Sequence, residues 1–517
     1  MEGRTETGAE PLPAHPSPIE FLARGGRFLR QLATAPALRR LRWVLAVGLV
    51  VRVLLAVTTA WPNDTAGAIQ AAQSVLRFGN PYILGWGEPP LVPFLAAPTV
   101  ALAEALFGAG SLLPVVPQLA PLATVTGFTF LVSPSPAALL AWKAPLILSD
   151  VLVGLLLYHL AGSITSATPD RRTLVTALWI LNPLVIWSSV VDGEVDSMVA
   201  LFLLLLFVAL IYRWWTVAGL AIALGTFTKG YPFIFLPVAV AVAVGPALAR
   251  SEPWARAGRA LIRLAAGIVP VLLVFLVLTS EVINALTSDF FSTAYGGASF
   301  TTIFNPSSPT GGWYGLVVGS PWAPVVLMTL LRSLAAVGVL AGAVGVAGIY
   351  ARRRSTPVER LRSLWWALLL TVASVLLADP TPQPERLLGV LSLLPLGAAL
   401  ADRRRWIALT TALTASGLTI YAAFVTPLGI FFPTLTRLGP SATQRMIEWV
   451  TAYAAIPLLR GSLWYVAGLL GGATLLAIWF FTLRELYRFS RAGRPGAVLP
   501  GRPGAHGRQV EGPGDPV

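Results

Sequence analysis

Three carboxylates stand close together in a short turn between two apolar stretches of the sequence. Asp192, Glu194 and Asp196 alternate with small or apolar residues in the segment Val-Asp-Gly-Glu-Val-Asp-Ser. Such a turn can hold a hydroxyl-rich substrate, neutralise a nearby lysine or bind a divalent ion. A single acidic cluster is weak evidence for a metal, so we expect no metal site and no cofactor here.

A fourth carboxylate, Asp64, follows directly after the first long apolar run, in the sequence Trp-Pro-Asn-Asp. A carboxylate at that position can serve as a general base, which typically contributes about 10² to 10⁴ in rate. Alternatively, Asp64 caps a helix, because the apolar residues between Thr65 and Phe78 are spaced for an amphipathic helix at a membrane interface. The two roles are compatible, and the sequence leaves both open.

Lys143 and Lys229 are the only lysines in the chain, and both lie between apolar runs. In a sequence dominated by arginine, the buried Lys229 is a candidate to meet an anionic group such as a phosphate. Arg386 begins another apolar run and is a second candidate for the same task. The alternatives are a Lys229 that reaches the interface from a helix end, and an Arg386 that pairs with Glu385 or Asp379.

The composition indicates that the elements that position these residues lie in a membrane. Of the 517 residues, 56% are hydrophobic and 12% are charged, and the mean hydropathy is +0.73. Apolar runs long enough to cross a bilayer recur from Trp43 to Phe481. The pattern lacks strand-length alternation, so we predict an all-α polytopic bundle of about 12 to 14 transmembrane helices. The absence of cysteine excludes disulfides and thiolate ligands, and three histidines argue against a multi-histidine metal centre.

Arginines fall in short clusters between the apolar runs, a pattern typical of membrane topology rather than of nucleic-acid binding. The positive-inside rule predicts a basic cytoplasmic tail over 1–42, a transmembrane domain over 43–483 and a cytoplasmic, Pro- and Gly-rich disordered tail over 484–517. All strong arginine clusters share one side only if the Pro-containing run from Ser111 to Val132 is a crossing. We therefore predict a kinked or re-entrant span there. The acidic turn, Asp64, Lys229 and Arg386 then face the outside of a plasma membrane.

The order of several short motifs resembles that of the GT-C superfamily of membrane glycosyltransferases. Asp64 is followed by Gly-Asn-Pro-Tyr, which ends at Tyr82, and then by Glu-Pro-Pro-Leu from Glu88, as in the first outer loop of that superfamily. Four later segments are similar to those of members that use polyprenyl-phosphate sugars: Lys143-Ala144-Pro145 with Asp150, Asn182-Pro183, Gly193-Glu194-Val195-Asp196-Ser197 and Lys229-Gly230-Tyr231-Pro232. Glu194 stands where those members usually carry glutamine. The similarity is to the mannosyltransferase-like branch of bacteria and archaea, and it returns near Arg386.

The resemblance implies an inverting glycosyltransferase of GT-C fold, with an interfacial helix in its first outer loop. Such an enzyme transfers a hexose such as mannose from a polyprenyl-phosphate donor to a lipid or glycan acceptor, and its partners are these substrates and membrane lipids, with no nucleic acid. The resemblance assigns the catalytic base to Asp64 and the donor phosphate to Lys229 and Arg386. It assigns substrate binding to five further residues: Tyr82, Asp192, Glu194, Asp196 and Gln383.

Other classes of function share this topology. A multi-pass transporter or a lipid or oligosaccharide flippase uses ionisable residues along a path near the middle of the membrane, whereas the candidates here lie at loop edges. A ligase that moves whole glycans and an inactive scaffold are further alternatives.

Overall fold

The computed structural model describes residues 16–491, with gaps at 85, 120–131, 166, 279–322, 353–355, 379–383, 401–402, 425–428 and 455. Within these ranges the chain is helical, apart from one isolated antiparallel bridge between Val115 and Val132. The predicted all-α fold is therefore confirmed. The last part of the predicted C-terminal tail lies outside the described residues.

The helices of the N-terminal half surround the acidic turn. In chain order they are α1 (Pro18–Thr34), α2 (Arg39–Thr58), α3 (Pro62–Phe78), α4 (Leu91–Phe107), α5 (Pro136–Thr165), α6 (Pro169–Ile180), α7 (Pro183–Ile186), α8 (Asp196–Ile211), α9 (Trp215–Thr226), α10 (Leu236–Leu248) and α11 (Trp254–Leu278).

The helices of the C-terminal half complete the bundle. They are α12 (Ala323–Tyr350), α13 (Pro357–Ala378), α14 (Leu387–Leu400), α15 (Arg403–Phe424), α16 (Phe432–Arg437), α17 (Pro440–Ala454) and α18 (Pro457–Arg491).

In the part of the chain that the structure describes, eight helices are long and apolar enough to cross a membrane. A ninth candidate is the broken span from Pro169 to Asp192, whose two halves are bent by 43°. The apolar window of α13 is 83% buried, whereas those of α2 and α11 are each 22% buried. Because lipid replaces protein contacts on an outer helix, α13 is central and α2 and α11 lie at the periphery. The protein is a multi-pass membrane protein, as predicted.

The first and second long spans, α2 and α5, run antiparallel. The Arg52 guanidinium on α2 donates to Asp150 of α5 at 2.8 Å, and Lys143, about two turns into α5, donates to the carbonyl of Thr59 at the end of α2 at 2.6 Å. The end of α2 and the start of α5 therefore lie at the same end of the bundle. Everything between them makes an even number of crossings.

The two described ends of the segment from Ser111 to Val132 meet. The Ser133 amide donates to the carbonyl of Pro114 at 3.0 Å, beside the bridge between Val115 and Val132. The segment is therefore not a single kinked crossing. Residues 120–131, in its middle, lie outside the described residues, so the re-entrant alternative stays a prediction.

Helix α4 has 17 residues and is shorter than the helices that are long enough to cross a membrane. Its Thr99 hydroxyl donates to the carbonyl of Ala141 near the start of α5, and its Glu104 accepts from Gln73 of α3 at 2.8 Å. The apolar residues of α4 thus pack on α3 and α5 at one end of the bundle.

Helical structure extends into both predicted tails. The N-terminal tail contains α1, which begins with a capping box in which Ser17 and Glu20 each accept from the backbone amide of the other. Phe21 of α1 packs edge-on against His159 of α5 at 5.3 Å. At the other terminus, α18 continues to Arg491, beyond the predicted end of the transmembrane domain at 483.

Candidate active site

The acidic turn is positioned by a broken helix. The side chain of Asn182 accepts from the amides of Leu184 and Val185 at 2.9 and 3.4 Å and so caps a new helix after the break. One turn of π-helix, Trp187–Asp192, carries the chain into the turn. Gly193 then takes a left-handed conformation with φ of 86°, which favours glycine. The Asn-Pro and Gly-Glu-Val-Asp-Ser motifs are therefore two parts of one local structure.

Lys229 is fully buried and lies among three carboxylates from two segments. Its ammonium donates to Glu88 in the loop before α4, lies 3.3 Å from Glu194 and lies 3.9 Å from Asp196. The hydroxyl of Tyr231 contacts Asp196 at 3.5 Å, so both polar residues of the Lys-Gly-Tyr-Pro motif face the acidic turn. The arrangement matches the alternative in which the turn neutralises Lys229.

Glu385 brings a fourth carboxylate to this group from a 3₁₀ turn, Pro384–Arg386. Single oxygens of Glu194, Asp196 and Glu385 lie within 4.8 Å of one another. Burial and the nearby charges of Glu194 and Asp196 raise the pKa of Glu385 well above its usual value. We call Glu88, Glu194, Asp196, Lys229 and Glu385 the acid–lysine cluster.

Arg386 follows Glu385 directly and is 6% exposed, so a guanidinium lies buried next to the acid–lysine cluster. Its role at a donor phosphate stays a prediction. Gln383, predicted to bind substrate, and Asp379, the alternative partner of Arg386, lie outside the described residues.

Asp192 is the first carboxylate of the acidic turn, and it is 4% exposed. Its carboxylate accepts from the hydroxyl of Tyr421 at 2.8 Å, and that hydroxyl is also 3.3 Å from Glu385. The carbonyl of Asp192 accepts from Thr65 of α3 at 2.9 Å. Tyr421 and Thr65 therefore connect the turn to α15 and to the first-loop helix.

Asp64 is the third residue of α3 and lies next to this network. The helix begins at Pro62 and its N-cap is Trp61, so the prediction that Asp64 is the N-cap is wrong. The ring of Trp61 packs edge-on against Tyr421 at 5.8 Å, and Thr65 contacts Asp192. The backbone of Asp64 is thus held against the acidic turn from both sides, while its side chain lies outside the described part of the structure.

Tyr82 lies beside the acid–lysine cluster rather than within it. It packs in an apolar group with Leu91, Phe227 and Phe275, and Phe227 is two residues before Lys229. The amide of Tyr82 donates to the side chain of Asn80 at 2.9 Å, which forms the turn after α3. Its substrate-binding role stays a prediction.

The other motif lysine has a different environment. The ammonium of Lys143 donates to the carbonyls of Thr59 and Ala56 at 2.6 and 3.4 Å, the last carbonyls of α2. A cation favours a helix C-terminus, so Lys143 stabilises the end of the span that precedes Asp64. The trailing Asp150 pairs with Arg52, and both side chains are fully buried.

The arrangement offers oxygen ligands and positive charge in one place. Glu194, Asp196 and Glu385 are spaced to hold a divalent ion, and carboxylate oxygens suit such an ion. The Lys229 ammonium already lies within ion-pair distance of two of them, so the protein supplies its own cation there. Together the buried carboxylates can bind hydroxyl groups or take up protons, and Lys229 and Arg386 can face an anion.

Sequence reasoning gave no role to Glu88 or Tyr421. Glu88 was visible only as the residue before two prolines, and Tyr421 stands in the middle of an apolar run. Glu88 is 141 positions from Lys229 and Tyr421 is 229 positions from Asp192. No local sequence pattern predicts a contact between residues so far apart in the chain.

Comparison with known proteins agrees with the motifs. A family model described as GPI transamidase subunit PIG-U matches residues 118–314, a segment that contains Lys143, the acidic turn and Lys229. GPI mannosyltransferase 1 of Aspergillus fumigatus is 32% identical over 98 residues, which are 19% of this chain and 23% of the fungal protein. The match thus spans about a quarter of that relative's length.

Two solved structures of ArnT from Cupriavidus metallidurans are also similar. The one bound to undecaprenyl phosphate has a TM-score of 0.40 at 15% identity, and the apo form has 0.39 at 16%. Each covers 84% of this chain and 77% of the other. The two sequence matches agree with the resemblance to membrane glycosyltransferases, and both fall on parts of the chain.

Proposed function

We propose that this protein is an inverting membrane glycosyltransferase that moves a hexose, mannose in the first instance, from a polyprenyl-phosphate donor to a lipid or glycan acceptor. The observation that carries the proposal is the acid–lysine cluster, built at one end of a transmembrane bundle from the residues whose order resembles such enzymes. The similarity to a mannosyltransferase supports the choice of sugar. We place the site outside the cytoplasm at the plasma membrane, on the distribution of arginines.

Asp64 is the proposed general base. Attack of an acceptor hydroxyl on the anomeric carbon requires removal of the hydroxyl proton, and a single displacement of the phosphate inverts that carbon. Two contacts support this choice, since Trp61 packs on Tyr421 and Thr65 donates to Asp192. They fix the backbone on both sides of Asp64 against the buried turn. A base anchored in this way keeps its position while the substrates exchange.

Lys229 and Arg386 are the proposed contacts of the donor phosphate. Three carboxylates around one ammonium leave the group negative, so a phosphate can reach Lys229 only if one carboxylate withdraws. The side chain of Glu88 is 30% exposed, against 13% for Glu194 and none for Asp196. We infer that the donor phosphate replaces Glu88 at Lys229, because Glu88 lies in a loop and has access to water.

The carboxylates of the acidic turn are proposed to bind the acceptor. Asp192, Glu194 and Asp196 present oxygens that accept from sugar hydroxyls, and Tyr82 and Gln383 are proposed to border the sugars. Divalent metal is not part of the proposal, because Lys229 supplies the positive charge.

The location of the ionisable residues bears on the transporter alternative. The acid–lysine cluster, Asp192 and Lys143 all lie where helices begin or end at one end of the bundle. The fully buried pair of Arg52 and Asp150 lies within the spans, but each partner is engaged by the other and Arg52 also donates to the carbonyl of Ile180 at 2.6 Å. This arrangement favours a site at a loop edge over a path through the middle of the membrane.

The PIG-U match favours a second candidate, in which the chain holds a glycolipid as a subunit of a larger assembly and transfers no sugar. Incubation of the purified protein with radiolabelled polyprenyl-phosphate sugars and an extract of membrane acceptors separates the two. The proposed enzyme transfers label from at least one donor, and the Asp64→Asn variant does not. Donor binding without transfer by any of the sugars tested would instead support the subunit role.

A further inference from the structure

A basic cavity lies at the end of the bundle opposite the acid–lysine cluster. It has a volume of about 370 Å³, within the range of ligand pockets, and lies between the turn after α8, helix α10 and the first turns of α11. A second cavity of about 350 Å³ adjoins it and shares Arg213, Pro246 and Glu252. We call the two together the arginine cavity. Its charged lining comprises Arg213, Arg250, Glu252, Arg256, Arg259, Arg263 and Arg360.

The arginines converge from four segments of the chain. Arg256, Arg259 and Arg263 follow one another at the spacing of one helix face on α11. Arg213 and Arg250 precede α9 and α11, and Arg360 comes from α13. Arginines that serve only to set membrane topology do not need to meet in one cavity. The positive-inside rule depends on how many positive charges a loop carries and not on their arrangement in space.

Two of these arginines occupy turns that end helices. Arg213 and Arg250 have φ of 56° and 54°, and among the described residues they are the only non-glycine residues with positive φ. Each follows the end of a helix, and the amide of the next residue donates to a carbonyl five positions earlier, Trp214 to Ala209 and Ser251 to Pro246. These capping turns place both arginines in the lining of the arginine cavity.

The charges in the arginine cavity are not balanced. Glu252 accepts from Arg213 at 2.8 Å and lies 3.5 Å from Arg256. Burial alone raises the pKa of Glu252, but the hydrogen bond and charge of Arg213 and the charge of Arg256 outweigh it and hold that pKa below its usual value. In the described ranges, no carboxylate lies within ion-pair distance of Arg250, Arg259 or Arg263.

We propose that the arginine cavity binds the phosphate head group of an anionic phospholipid. Guanidinium groups match phosphate oxygens with pairs of hydrogen bonds, and several from different segments can surround one phosphate. Trp215, Val242 and Ala260 supply apolar lining beside them, as a lipid requires and a free phosphate does not. A basic pocket between transmembrane helices on the arginine-rich side is suited to such a lipid. The proposal is independent of the sugar-transfer site.

The test compares lipid binding by two matched pairs of substitutions. Arg259→Gln with Arg263→Gln removes two charges from the cavity, and Arg403→Gln with Arg404→Gln removes two exposed charges at the start of α15, outside the cavity lining. Each detergent-purified protein is titrated with dioleoylphosphatidylglycerol, dioleoylphosphatidylcholine or inorganic phosphate. Retained lipid is read by native mass spectrometry, and stabilisation by the midpoint of thermal unfolding.

We expect phosphatidylglycerol to bind the unsubstituted protein and raise its unfolding midpoint, and phosphatidylcholine to do neither. The apparent dissociation constant for phosphatidylglycerol should rise at least about tenfold in the cavity variant, equivalent to about 1.4 kcal/mol, and stay unchanged in the control. Equal affinity of both variants for phosphatidylglycerol overturns the proposal, because the lipid then responds to the total number of arginines and not to those in the cavity. Stabilisation by inorganic phosphate at the same concentration overturns the choice of a lipid. Unchanged unfolding midpoints without lipid confirm that both variants fold.

Discussion

Replacement of Lys229 by methionine removes the cation of the acid–lysine cluster while keeping a long, apolar side chain in its place. The ammonium is fully buried, 3.3 Å from Glu194 and 3.9 Å from Asp196, and it also pairs with Glu88. Its loss leaves carboxylates close together with no neutralising charge between them. The variant should therefore be less stable and bind the donor more weakly.

The size of the stability loss follows from the distances. At an effective dielectric constant of about 20, a pair of charges 3.3 Å apart interacts by roughly 5 kcal/mol, which is an upper limit because the carboxylates can take up protons. Removal of one partner from a buried ion pair typically costs about 3 to 5 kcal/mol. We expect a loss in this range at neutral pH. Since protonation neutralises the remaining carboxylates, the loss should shrink as the pH falls.

Two measurements check this expectation. Reversible unfolding in detergent gives the loss of stability, and a double-mutant cycle with Glu194→Gln gives the interaction energy, which should be about 1 to 3 kcal/mol for residues in contact. Donor affinity is measured by titration with a polyprenyl-phosphate sugar. Lys143→Met is the matched control, because Lys143 is equally buried but donates to backbone carbonyls of α2. It should lose stability and keep its affinity for the donor.

Two results would refute the reasoning. If Lys229→Met is as stable as the unsubstituted protein at neutral pH, the carboxylates around Lys229 are not charged in the folded state. If its donor affinity is unchanged while that of Lys143→Met falls, the donor phosphate lies at the other lysine.

Four further predictions concern the candidate site and the topology of the chain. Asp64→Asn should fold and bind donor but transfer at least about 10²-fold more slowly, and near-normal turnover in the radiolabel assay would remove Asp64 from the role of base. Transfer should survive EDTA, whereas loss of activity that Mn²⁺ restores would make the carboxylates of the acid–lysine cluster metal ligands. Single cysteines at the exposed Ile83 and Arg256 should label from opposite sides of the membrane with an impermeant thiol reagent, Ile83 from outside, and labelling of both from one side contradicts the topology. Because the pKa of Glu385 is raised in the folded state, its contribution to stability is present below its unfolded pKa and lost as the pH rises through the folded value. Glu385→Gln should flatten that decline in a series of unfolding measurements, and an unaltered pH profile would show that Glu385 does not cause it.

The sequence alone determined the class of the protein and most residues of the candidate site. Charges are so rare among the apolar runs that Lys229 and the acidic turn stand out by position, and the structure brings them together within 4 Å. The helix in the first loop was visible from its apolar spacing, although it begins at Pro62 rather than after Asp64. These features depend on local composition and period, which a sequence displays directly.

Only the tertiary structure decided what each of these residues contacts. Glu88 and Tyr421 belong to the site because segments distant in sequence fold against the acidic turn. The local sequence around either residue does not predict these contacts. The same holds for the arginine cavity, whose members come from four segments of the chain.

The number of crossings was decided in the same way. Hydropathy measures how readily a segment leaves water, but not whether it then meets lipid or protein. Helix α4 is as apolar as a span, yet it packs on α3 and α5, and the segment after it returns to meet itself between Pro114 and Ser133. Burial against other helices removes an apolar surface from water as well as a bilayer does. Long-range packing is therefore the physical reason why the sequence predicted an all-α bundle correctly but could not decide which apolar runs cross it.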